Sequence, residues 1–335
     1  VKDLPPSPVR PTIDLEAPGV RHGHLRLPHS DDRSAWGSLM IPITVVVGGE
    51  GPTALLTGAN HGDEYEGPVA LFDLAHRLAR EQITGRVILC PAMNYPAFRA
   101  GRRTSPIDGG NMNRAFPGRP DGTPTERVAD FFTRVLLPEA DLVVDLHSGG
   151  RTLEFLPFCA AHLLPDAEQQ ARCVAAMEAF NAPYSMILLE IDSAGMYDSA
   201  AEAQGKTFIS TELGGGGTTT ARSCAIARRG IANVLRHAGI LAGQPEPAAS
   251  VRLAMPDERC YLLSDGDGLL EPCVDLGAPV RAGQLVARVW EVTHSGRAPR
   301  EYRAAIDGLL AGRHFPGLVA IGDVIAVLAV EPPEA

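Results

Sequence analysis

The chain has 335 residues, a formal net charge of −10, and 45% hydrophobic and 21% charged residues. That length is too great for one ordinary core and suits two domains, with the composition of a soluble globular protein. The acidic balance and the lack of basic clusters argue against nucleic acid and membrane-surface partners.

Along the chain, Val1-Lys2-Asp3-Leu4-Pro5-Pro6 has no signal-peptide core, and no apolar run reaches the length that spans a bilayer. Cysteines 90, 159, 173, 224, 260 and 273 include no Cys-x-x-Cys pair and read as scattered reduced thiols. A cytoplasmic protein is expected. From about residue 40 to 240, strand-like and helix-like runs alternate. Ile41 to Val47 and Thr53 to Thr57 read as strands around the turn Gly48-Gly49-Glu50-Gly51. Pro68 to Arg80 carries apolar residues at helical spacing, and Arg86 to Cys90 is a strand closed by Pro91. Helices are expected over Thr125 to Leu137, with Thr123 or Thr125 as cap, Leu164 to Asn181 and Ser223 to Ala238. Strands are expected over Asp141 to Leu146 and Thr207 to Thr211. This alternation predicts an α/β fold with a mostly parallel sheet flanked by helices.

The proline-rich stretch from Gly243 to Ser250 reads as a linker, so a first domain over 1–245 and a second over 246–335 are expected. The second part has short strands and glycine turns. Gly268-Leu269-Leu270 leading to Val286-Ala287-Arg288-Val289 is echoed by Gly308-Leu309-Leu310 leading to Val324-Ile325-Ala326-Val327-Leu328. Such a repeat suggests two pseudo-symmetric halves of a small β-sandwich or barrel. It resembles the biotinyl/lipoyl carrier fold, yet neither half has an acceptor lysine, which leaves a structural role in covering the site or in assembly.

The chemistry gathers at predicted strand ends. Gly58-Ala59-Asn60-His61-Gly62-Asp63-Glu64 sets an imidazole and a carboxylate three residues apart. A hydrolytic zinc site needs two histidines, one carboxylate and an open fourth position. His147, in Asp145-Leu146-His147-Ser148-Gly149, ends a second strand, and ligand sites in open α/β sheets lie beyond the carboxyl ends of strands. Glu212, in Thr211-Glu212-Leu213-Gly214-Gly215-Gly216-Gly217, ends a third and is placed to act as general base. The loop Gly109-Gly110-Asn111-Met112-Asn113-Arg114 offers a guanidinium and an amide for a carboxylate, with Arg103 upstream.

Gly-x-x-His-Gly-Asp-Glu, Asn-x-Asn-Arg-x-Phe-Pro-Gly, Asp-Leu-His-Ser-Gly and Thr-Glu-Leu-Gly-Gly resemble the motifs of the succinylglutamate desuccinylase/aspartoacylase family, zinc amidohydrolases related to the metallocarboxypeptidases. The resemblance implies one Zn²⁺ per chain on His61, Glu64 and His147. It implies Glu212 as catalytic acid and base, and Asn113 with Arg114 as the clamp on the substrate carboxylate, with Arg103 the nearest fit to a second carboxylate-binding arginine. Asp32-Arg33-Ser34-Ala35-Trp36-Gly37-Ser38 and Gly195-Met196-Tyr197-Asp198-Ser199-Ala200-Ala201-Glu202 narrow the resemblance to the ectoine-catabolism branch. That branch implies hydrolysis of N-α-acetyl-L-2,4-diaminobutyrate, whose side-chain ammonium needs a partner among Glu190, Asp192 and Asp198. A homo-oligomer acting on a small N-acyl amino acid is expected. The alternatives are a deacylase of another N-acyl amino acid, of the N-acetylaspartate or succinylglutamate type; a carboxypeptidase, which needs an open groove; and a lipoyl-domain-like binding protein with a structural metal.

Overall fold

Every residue of Thr53–Gly58 and of Leu142–His147 is buried. A strand buried on both faces lies inside a sheet covered by helices, where no alternation of polar and apolar residues is required. The computed structural model describes residues 5–189 and 193–332. It places these two strands side by side near the middle of a ten-stranded mixed sheet. Arg86–Cys90, Thr53–Gly58, Leu142–His147 and Thr207–Glu212 run parallel as neighbours in that order. Beyond Arg86–Cys90 the sheet continues antiparallel through Ser38–Val47, Gly19–Pro28 and Arg10–Pro11. Beyond Thr207–Glu212 it continues through Phe158–Ala161, Tyr184–Ile187 and Val251–Ala254.

Successive side chains of a strand point to opposite faces, and the two faces form separate cores. Ala54, Leu56 and Val144 pack with Leu71, Phe180, Ile231 and Leu235, under the helices Glu66–Arg77, Ala167–Phe180 and Ala221–His237. Leu55, Ile88 and Val143 pack with Phe131, Phe132, Tyr197 and Phe208 on the other side, under Pro124–Phe131 and Tyr197–Glu202. The α/β architecture is therefore the expected one. Thr123 caps Pro124–Phe131, its hydroxyl accepting from Glu126 N–H while the Glu126 carboxylate accepts from Thr123 N–H.

The C-terminal repeat forms two facing antiparallel sheets. Gly268–Pro272 pairs with Leu285–Trp290 in one, and Gly308–His314 pairs with Val324–Ala329 in the other. Leu270, Val286, Val289, Leu310, Ile325 and Leu328 fill the space between them. Two strands cross between the large sheet and this region. Val251–Ala254 adds to the edge of the large sheet, whereas Leu153–Phe155 leaves that part of the chain to pair with Gly308–His314. A shared apolar cluster including Phe158, Met186, Leu253, Ala311 and Val327 seals the junction.

Candidate metal centre and active site

The strand Thr53–Gly58 ends in a sharp turn. Ala59 takes a positive φ of 50°, and the carbonyls of Gly58 and Ala59 accept from the N–H groups of Met93 and Asn94. A non-glycine residue rarely adopts this conformation, and here it swings Asn60 and His61 across the strand ends. Gly62 then passes so close to Ala97 and Phe98 that a Cβ would lie 2.0 Å from the Ala97 carbonyl carbon, so only glycine fits.

Two strands supply the rest. Gly58 is in register with Leu146, and Glu212 is in register with His147 on the next parallel strand. His147 is held there by Thr211, whose Oγ1 accepts from the His147 N–H at 3.2 Å and lies 3.2 Å from its carbonyl. Beyond Glu212, Gly215 at φ 150° passes the Leu153 carbonyl at a distance no side chain would allow.

His61, Glu64 and His147 converge as expected. Their ligand atoms lie within 4.8 Å of one another and all three residues are buried. Glu64 Oε1 is 2.8 Å from His61 Nδ1, and Glu64 Oε2 is 2.9 Å from His147 Nδ1. Two imidazole nitrogens and a carboxylate facing one point form the donor set of a hydrolytic zinc site, so the residues fit that ion. The far nitrogen of His147 is anchored: Nε2 is 2.6 Å from Asp145 Oδ2. Asp145 is itself fixed by Thr57 Oγ1 at 2.6 Å and Asn60 Nδ2 at 2.9 Å. A carboxylate behind a ligating histidine sets its tautomer and raises its basicity.

The electrostatics follow from this packing. Burial pulls the His61 pKa down, with Glu64 only partly opposing it. Burial works to raise the Glu64 carboxyl, but the two histidines outweigh it and hold the group well below the usual carboxylate range. For His147, burial is overcome by Asp145 and Glu64, which raise it well above the ordinary imidazole value. A buried pair of carboxylates around one imidazole thus attracts a positive charge, proton or metal.

One cavity of about 150 Å³ is lined by all seven predicted site residues, His61, Glu64, Arg103, Asn113, Arg114, His147 and Glu212. Arg103 Nη1 stands 3.5 Å from Glu64 Oε1. Arg114 Nη1 donates to the Asn113 carbonyl at 2.7 Å, and Asn113 Oδ1 accepts from Asn60 Nδ2 at 3.3 Å and from the Tyr197 N–H at 3.0 Å. Asp198 lines the same cavity, whereas Glu190 and Asp192 lie outside the described residues. Phe155, Leu188, Met196 and Phe208 form an apolar wall that sequence reasoning did not identify. It also missed the anchoring role of Asp145, although Asp-x-His on a strand puts both side chains on one face.

Residues 50–238 match the succinylglutamate desuccinylase/aspartoacylase catalytic domain. The chain is 58% identical over 326 residues to the N-alpha-acetyl-L-2,4-diaminobutyric acid deacetylase of Halomonas elongata, covering 97% of this chain and 95% of that one. The product-bound structure of the ectoine utilization protein EutE from Ruegeria pomeroyi aligns with a TM-score of 0.96 at 62% identity, over 97% of this chain and 99% of the other. A succinylglutamate desuccinylase/aspartoacylase structure from Rhodobacter sphaeroides aligns with a TM-score of 0.93 at 39% identity, over 97% and 100%. With the fold, the strand-end motifs and these likenesses together, the chain belongs to the succinylglutamate desuccinylase/aspartoacylase family.

Proposed function

We propose that this chain is a zinc-dependent amidohydrolase that converts N-α-acetyl-L-2,4-diaminobutyrate and water to acetate and L-2,4-diaminobutyrate. The observation that carries the chemistry is the buried His61–Glu64–His147 cluster with Glu212 in register beside it. The choice of substrate is supported by the 58% identity to a deacetylase of that name. Zinc held by His61, Glu64 and His147 would supply a Lewis acid and a water whose pKa falls to about 7.

The remaining work falls to the side chains. Glu212 takes the proton of the attacking water as its oxygen bonds to the acetyl carbon. It returns that proton to the departing nitrogen as the C–N bond breaks. Arg114 and Asn113 hold the substrate α-carboxylate, the guanidinium giving a two-pronged contact and the amide one further donor. Asn113 presents its donor end because its Oδ1 is occupied by Asn60 and Tyr197. Arg103, which lines the same cavity, would supply a second cation for that carboxylate.

The same reading includes a catalytic domain over 1–245, a lipoyl/biotinyl-like domain over 246–335, a homo-oligomer and a cytoplasmic location. All six cysteines are free, which supports a reducing compartment. Among the described residues no helix is long and apolar enough to cross a membrane.

The test is hydrolysis of N-α-acetyl-diaminobutyrate, its Nγ-acetyl isomer and N-acetylaspartate, with and without chelator. The Nα isomer should be cleaved fastest, with activity lost to chelator and restored by zinc. A preference for N-acetylaspartate would replace the substrate, and chelator-insensitive turnover would remove the metal.

A further inference from the structure

Resting on the deacetylase reading above, we propose that Asp198 is the specificity-determining residue that binds the free side-chain ammonium of the substrate. An Nα-acylated diamino acid carries two charges, an α-carboxylate and an ω-ammonium, separated by a short carbon chain. A site that selects it must present a cation and an anion at a fixed separation.

The segment around Asp198 is built to do this. Phe116 N–H donates to the Gly195 carbonyl at 3.0 Å, and a Cβ on Gly195 would come within 2.7 Å of the Arg114 carbonyl oxygen. Two residues on, Tyr197 N–H donates to Asn113 Oδ1 at 3.0 Å, while the Tyr197 ring stacks on Phe116 at 4.8 Å between centroids. The segment bearing Asp198 is thus fastened to the Asn113–Arg114 loop at several points. Asp198 lies in the first turn of the helix Tyr197–Glu202, and its Oδ1 accepts from the Ser199 N–H and, at 3.0 Å, from the Ser199 hydroxyl. The residue is only 6% exposed.

Of the described carboxylates that line this cavity, Asp198 is the one not already assigned to the metal cluster, its anchor or proton transfer. Glu64 belongs to the metal cluster, Asp145 anchors His147, and Glu212 is the proposed base. Asp198 and Leu188 line both this cavity and a second one of about 600 Å³. Bound with its carboxylate on Arg114, the substrate would place its ammonium on Asp198, which lines the same cavity. Truncating one partner of a buried, hydrogen-bonded charge pair lowers affinity by about 30-fold or more.

The experiment compares two substrates on one preparation, so that the folded fraction cancels. N-α-acetyl-diaminobutyrate is measured against N-α-acetyl-2-aminobutyrate, which lacks only the ammonium. The wild type should favour the charged substrate, and Asp198→Asn should collapse that ratio of kcat/KM by about 30-fold or more. Binding of the products, diaminobutyrate against 2-aminobutyrate, reads the same preference independently of turnover. A ratio unchanged in Asp198→Asn overturns the assignment. A wild type with no preference for the charged substrate refutes the deacetylase substrate itself.

Discussion

The rim of the parallel strands and the C-terminal β-sandwich bury different things. At the rim, Asn60, His61, Asp63, Glu64, Glu66, Asp145 and His147 are all nearly inaccessible. In the sandwich the buried side chains are aliphatic, and Ser264 and His314 are the buried polar exceptions among the described residues. Burying charge is costly unless the groups are paired or bind a metal, so a dense polar cluster has to be held in place by its surroundings. The rim does this with nested contacts, Thr57 and Asn60 on Asp145, Asp145 on His147, and Ser148 N–H on Glu64 at 3.1 Å. The sandwich contributes by packing. Its strand Gly308–His314 carries Leu153–Phe155, and through that strand it supplies Leu153 and Phe155 to the cavity wall.

Variants at the rim should therefore alter chemistry, and variants at the sandwich contact should alter stability. The largest effect belongs to Glu212→Gln, which should reduce turnover by about 10²- to 10⁴-fold at unchanged thermal stability. Asp145→Asn comes next: losing the carboxylate behind His147 should weaken metal affinity or activity by about 10- to 100-fold, read by chelator competition. Metal affinity unchanged in that variant would remove Asp145 from the account. The smallest effect is expected for Arg313→Ala. Its contact to Glu154 spans 2.6 Å between the strand pair, but both side chains are about one-third exposed. Denaturant titration should show a loss of about 0.2–1 kcal/mol with metal content intact. Loss of metal from Arg313→Ala would mean that the sandwich holds the rim more directly than its packing suggests.

The site was more legible in the sequence than its frame. His61 and Glu64 follow, and His147 ends, strands that are buried throughout because both faces are covered, while Glu212 ends a half-buried strand before four glycines, so the local sequence marks both strand and ligand. The helix expected from Pro68 begins at Glu66, which brings its first turn close behind Glu64. Leu153–Phe155 and Val251–Ala254 are three and four residues long and pair with partners far away in the chain, so no local pattern announces them. Gly19–Pro28 alternates exposed and half-buried positions near the sheet edge, a weak signal where His22, His24 and two arginines occupy its faces. The apolar wall formed by Phe155, Leu188, Met196 and Phe208 comes from four separate segments and exists only once they meet.

Metal content and turnover measured on the same Glu212→Gln preparation separate an open metal site from the base that serves it. One zinc per chain is expected, as for the wild type, with hydrolysis of N-α-acetyl-diaminobutyrate reduced by at least about 100-fold. Near-normal turnover, or a protein that has lost its zinc together with its activity, would contradict that separation.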